Sequence, residues 1–215
     1  MKKILFLLAA ATLLFSFSKP DGAYPFSKWD AATLEKANTA KNESGYTAEE
    51  KKVVLYLNLA RLNPDLFAKT YFQKYIDSTK TNATSFTRSL FNDLTTKYKP
   101  MDALFVKPDL TEEATDHAKD TGKKGNLGHT TSDGKSYEFR MKKMKETYTS
   151  FGENCDYGSN DALSIVIHLL VDEGQATIEH RKNIMEKKYK FIGASIQPHK
   201  KEKWTCVVEF AGETK

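Results

Sequence analysis

The groups able to share a proton or hold a cation are concentrated between Phe151 and Ile184, in FGENCDYGSNDALSIVIHLLVDEGQATIEHRKNI. This stretch opens with Gly152-Glu153-Asn154-Cys155 and runs through an apolar segment ending in Asp172-Glu173. It closes on Glu179-His180-Arg181-Lys182-Asn183. Upstream, Gly128-His129-Thr130 adds a further histidine. Imidazole nitrogen and carboxylate oxygen are both ligands for zinc, and the same groups serve as general acid and base. His129, Glu153, Glu173 and His180 form one candidate cluster, which has to converge from four separate elements. No His-Glu-x-x-His helix, paired Cys-x-x-Cys, nucleophile elbow or phosphate loop accompanies them. Taken singly, each has a plain structural role: a turn at Gly128-His129, a backbone acceptor at Glu153, a helix cap at His180.

The elements that must position these residues are mostly helical. Thr47-Ala48-Glu49-Glu50 is a capping box, followed by Val53, Val54, Leu57, Ala60 and Leu62 at helical spacing. Asn63-Pro64 ends that helix and starts another, with Leu66, Phe67, Tyr71 and Phe72 on its apolar face. Residues 77–84 read as a polar loop. A third helix carries Phe86, Leu90, Phe91 and Leu94, and a fourth begins at Pro108, with His117 as half-buried scaffold and Gly122 as its stop. A short amphipathic helix with Phe139 and Met144 precedes a strand, Thr147 to Asn154. Asp161 to Val171 is a strongly apolar helix with His168 on its surface. Phe191 to Gln197 and Trp204 to Phe210 are β-rich runs around Pro198, which predict an antiparallel hairpin. The fold class is α+β, a small antiparallel sheet covered by helices.

The chain has 215 residues, 40% of them hydrophobic, which suits one domain with a substantial core. Residues 1–18 differ in kind: Lys2-Lys3, then an apolar run from Ile4 to Phe17, then Lys19-Pro20. That is the pattern of a secretory signal peptide, and the run is short for a membrane span. Residues 19–45 form an N-terminal extension with one short helix near Ala31 to Ala37, and Trp29 and Phe26 are expected to pack onto the domain. The domain itself is assigned to residues 46–215. The localisation this implies is secreted or periplasmic, with membrane contact only through the export signal. The 33 Lys and Arg against 28 Asp and Glu give a mild excess, two lysines of which leave with the signal. The basic residues are scattered, which argues against nucleic acid as a partner. In an exported chain the two cysteines, Cys155 and Cys206, read as one disulfide closing a long loop.

In order and spacing, several segments resemble the CAP superfamily (cysteine-rich secretory proteins, antigen 5, pathogenesis-related 1) in its bacterial SCP-like form. They are Tyr56-Leu57-Asn58-Leu59-Ala60-Arg61, Gly128-His129-Thr130, Gly152-Glu153-Asn154, Glu179 to Ile184, and the terminal Trp204 to Phe210 strand. The resemblance covers about residues 47–212. It implies an α–β–α sandwich with a central cleft lined by two histidines and two acids, three of them being His129, Glu153 and His180. The fourth departs from the family pattern, because Val171-Asp172-Glu173-Gly174 stands where a Trp-x-x-Glu or Trp-x-x-Ser segment is usual. Glu173 is the choice, with Asp172 as the alternative. Glu179 replaces the usual glycine and adds negative charge beside the cleft.

The resemblance implies no settled activity. The first reading is a secreted binding module in which His129 and His180 hold Zn2+ or another divalent cation that the fold itself does not require. Its partner is a small ligand, a lipid or a protein. The second is a metal-dependent hydrolase with Glu153 as general base. The third is a structural cluster, with lipid or partner binding elsewhere.

Overall fold

The computed structural model describes residues 25–80, 83–174 and 177–215. The expected signal segment, residues 1–18, lies outside them. From Pro25 the chain makes a 3-10 turn and then α1 (Ala31–Ala37), capped by the Asp30 side chain on Thr33 N–H at 2.8 Å. This segment adds Trp29, Ala37 and Ala40 to the main core, and Trp29 Nε1 donates to Thr70 Oγ1 at 3.3 Å.

The expected capping box forms: α2 (Ala48–Leu62) starts with Thr47 and Glu50 satisfying each other's backbone N–H. Pro64 opens α3 (Pro64–Phe67), which passes through a π-helical stretch (Ala68–Phe72) into α4 (Gln73–Thr79). The stretch expected as a polar loop from residue 77 therefore begins as helix, as far as Thr79. Next come α5 (Ser85–Asn92), the two-residue β1 (Phe105–Val106) and α6 (Pro108–Lys124). Two short helices, α7 (Tyr137–Arg140) and α8 (Met144–Thr147), lead into β2 (Phe151–Tyr157). Strand β2 starts later than expected, because Thr147 still ends a helix. The rest is α9 (Ala162–Val171), α10 (Glu179–Ile184) and the hairpin β3 (Phe191–His199) to β4 (Lys203–Ala211).

Gly122 does not stop α6. The helix runs to Lys124 and ends on Gly125, whose φ of +76° is the left-handed cap that glycine adopts without strain. Gly122 serves instead as the point where α6 lies directly on the sheet: a Cβ there would sit 2.3 Å from the Pro198 carbonyl oxygen.

The sheet order is β1-β3-β4-β2, antiparallel except for β1 against β3. Opposed residues share a face, so Glu153 with Glu209 and Cys155 with Val207 look one way, and Asn154 with Val208 and Asp156 with Cys206 look the other. The first face is covered by α6, where Cys155 and Val207 pack with Ala114 and Ala118. The second carries Cys206, Val208 and Phe210 into the main core with residues of α2 and α9. The molecule is an α+β sandwich with helices on both faces of the sheet.

This alternation corrects the expected disulfide. Cys155 and Cys206 are buried free thiols on opposite faces of adjacent strands, and their side chains point apart.

Candidate functional site

Strand β2 is an edge strand, and the polar groups gather along it from both layers. The Gly152-Glu153-Asn154 segment has a steric basis at its first residue. A Cβ on Gly152 would fall 2.4 Å from the Tyr189 hydroxyl, which donates to the Phe151 carbonyl at 2.9 Å. Asn154 Nδ2 donates to the His180 carbonyl at 3.0 Å, and Asn183 Nδ2 donates to Asn154 Oδ1 at 2.9 Å. These bonds fasten α10 across the open edge.

Two buried arginines set where α10 lies. Arg181 donates to the carbonyls of Leu170 (2.6 Å) and Val171 (3.1 Å), capping the end of α9, and reaches Asp93 Oδ2 on the stretch after α5 at 3.1 Å. Arg61 from α2 donates to the carbonyls of Ile184 (2.7 Å) and Tyr189 (3.1 Å) on the far side of α10. Removing Arg181 would leave helix-end carbonyls buried without donors.

His129 comes from the loop after α6, and its Nδ1 lies 2.7 Å from Glu153 Oε1. Glu153 Oε2 accepts from Arg140 Nη2 at 2.5 Å, and Arg140 Nη1 also reaches Glu113 at 2.6 Å and Glu209 at 3.5 Å. Tyr137 Oη donates to Glu209 Oε2 at 3.1 Å. Glu153 and Glu209 face each other across the strands, and like charges so close in a dry site cannot both ionise. Burial, with the neighbouring Glu153 charge, pushes Glu209 well above the carboxylate range. Burial also opposes ionisation of Glu153, but the bonds from His129 and Glu209 and the charges of His117 and Arg140 hold it low. The pair therefore carries one proton, on Glu209.

An ionised carboxylate only accepts, so the hydrogen of this bond lies on His129 Nδ1, and in the neutral ring that tautomer has its lone pair on Nε2. His180 repeats the arrangement. Its Nδ1 lies 2.9 Å from Asp172 Oδ1, and its backbone N–H donates to Asp172 Oδ2 at 2.9 Å. Asp172 caps α9 with φ +57°, a left-handed conformation that aspartate tolerates and that turns its carboxylate toward the next helix. The rings of His129 and His180 are 6.5 Å apart between centroids. Neither Nε2 has a hydrogen-bond partner among the described residues.

The structure brings His129 onto Glu153 and sets the His180 ring beside that of His129. The acid that holds His180 is Asp172; Glu173, the choice made from sequence, is an exposed residue on the rim of the adjoining cleft. Glu179 is exposed and pairs with Lys182. Sequence reasoning missed Arg140 and Glu209, although a single carboxylate in the apolar run Val207-Val208-Glu209-Phe210 was a usable signal. It also underrated His117, which is fully buried, donates from Nε2 to the Gly128 carbonyl at 3.0 Å and stands 3.9 Å from Glu153 Oε1. Burial lowers the pKa of His117. Ligand atoms of His117, Glu153 and Cys155 lie within 4.8 Å of one another, a mixed nitrogen, oxygen and sulfur set close enough to hold a metal ion.

Fold and site together define an α+β domain with two imidazole–carboxylate pairs meeting at the open edge of its sheet. The chain belongs to the CAP family, described as the cysteine-rich secretory protein family, whose sequence model matches residues 56–208. Among solved structures, the chain is similar to an outer surface protein from Borrelia burgdorferi (19% identity, TM-score 0.45, 54% of this chain and 80% of that one). It is also similar to an extracellular protein containing an SCP domain from Bacillus anthracis (16%, TM-score 0.43, 60% and 39%). A third is venom allergen-like protein 4 of Schistosoma mansoni (11%, TM-score 0.46, 79% and 91%). No curated protein sequence matches the chain.

Proposed function

We propose that the protein is a secreted binding module that holds a divalent cation between His129 and His180 and uses the loaded cleft to engage a small ligand, a lipid or a protein partner. The observation that carries this reading is the pair of matched imidazole–carboxylate bonds. Each Nδ1 is tied to an acid, which fixes the tautomer and leaves Nε2 as a basic donor, the arrangement by which carboxylates orient metal-binding histidines. In this reading Glu153 and Asp172 orient the ligands rather than coordinate the cation themselves. The basic and apolar run in residues 1–18 supports export. No helix among the described residues is long and apolar enough to cross a membrane.

The hydrolase reading has less support. Glu153 has both oxygens engaged and is held strongly acidic, which makes it a poor acceptor of a proton from water.

Zinc titration by calorimetry tests the proposal. One-to-one binding in the protein, lost in the His129→Ala/His180→Ala double variant while the fold persists, is the expected result. Retained stoichiometric zinc in the double variant would remove this site from consideration.

A further inference from the structure

A cleft of about 440 Å³ opens beside the histidine pair. Asp172 and His180 line one part of it, and another imidazole–carboxylate pair, His168 and Asp156, is also in its wall. Asp156 lies on the α9-facing side of β2 with its side chain 8% exposed, and its Oδ1 is 3.4 Å from His168 Nδ1. His168 is steadied on its other nitrogen by the Tyr75 hydroxyl at 3.1 Å. The second oxygen, Asp156 Oδ2, is buried and has no hydrogen-bond partner. A buried acceptor left without a partner is unfavourable, so it invites a donor from a ligand. No lysine or arginine lines this cleft among the described residues, although the chain as a whole has an excess of basic residues.

We propose that this cleft binds an alkylammonium group, as on a lysine side chain or a diamine, with its N–H donated to Asp156 Oδ2 and its alkyl stem against Ile76, Ile167 and Val171. A metal ion fits the geometry less well. Among the described residues, no set of three donors that includes Asp156 converges within 4.8 Å. One unpartnered buried carboxylate oxygen beside aliphatic walls matches an ammonium group on an apolar stem. Burial raises the pKa of Asp156, which a bound cation would reverse. The inference does not rest on metal binding by His129 and His180, since it uses a different acid and a different ligand.

Calorimetric titration of the full chain with cadaverine (1,5-diaminopentane) tests it. Saturable one-to-one binding is expected, weakened at least tenfold by Asp156→Asn. Zinc uptake is expected to survive that substitution, so the two proposals fail separately. If the variant does not fold, the unchanged protein still decides. Fully N-methylated cadaverine keeps the charge but has no N–H to donate, and should bind at least tenfold more weakly. Absence of saturable cadaverine binding, equal binding of the methylated compound, or equal binding by a folded Asp156→Asn would overturn the proposal. So would Asp156-dependent uptake of Zn2+ or Ca2+ that cadaverine does not displace.

Discussion

Asp172 holds His180 at two atoms, accepting from its ring at 2.9 Å and from its backbone N–H at 2.9 Å. Glu173, one residue on, is exposed. This relationship assigns different roles to two neighbouring acids that look equivalent in the sequence. Asp172→Asn should weaken zinc binding about 10- to 100-fold, the usual effect of losing a carboxylate behind a ligating histidine. Glu173→Gln should leave it within about twofold. Calorimetry on both variants checks the pair, and the reverse ranking would return Glu173 to the site.

The shared proton of Glu153 and Glu209 has a pH signature. Glu209 has its pKa raised on folding, so from about pH 4.3 upward the folded chain keeps a proton that the unfolded chain gives up. Its contribution makes stability fall as pH rises through that range, by up to about 1.4 kcal/mol per pH unit. Glu153 is held low, so its contribution is present above the same pH and is lost as pH falls toward its folded value. Glu209→Gln keeps a hydrogen-bonding side chain and removes the titration. Urea midpoints from pH 5 to 8 should decline less steeply in that variant than in the parent, and unchanged slopes would argue that Glu209 is ionised.

The two thiols should behave as buried and unbridged. Burial pushes both Cys155 and Cys206 upward in pKa, which suppresses the reactive thiolate. Both are expected to resist a thiol reagent in the folded protein and to react after unfolding without added reductant. Dithiothreitol should leave Tm unchanged, whereas breaking a disulfide would cost about 2–5 kcal/mol.

Gly152→Ala tests the close approach at the start of β2. The added methyl meets the Tyr189 hydroxyl, and overpacking of this kind costs about 1–3 kcal/mol. Combined with Tyr189→Phe, which removes the colliding oxygen, the loss should be smaller than the sum of the two single effects, as expected for residues in contact. Urea unfolding of the four proteins measures the coupling. Strict additivity would mean that the strand shifts instead.

Much of this molecule is local in origin. The Thr47–Glu50 capping box, the Asn63-Pro64 junction, the apolar α9 and the β3–β4 hairpin depend on interactions within a few residues, and a linear reading finds them. His129, Glu153 and His180 were legible as chemistry because each sits in a short recognisable segment. What the tertiary structure alone decided depends on direction and partners. The register of β2 on β4 sends Cys155 and Cys206 to opposite faces and sets Glu153 against Glu209. The left-handed turn at Asp172, rather than residue type, chooses between two adjacent acids. Arg140 had no local signal at all. Its role exists only where β2, β4 and α6 bring three carboxylates around one guanidinium.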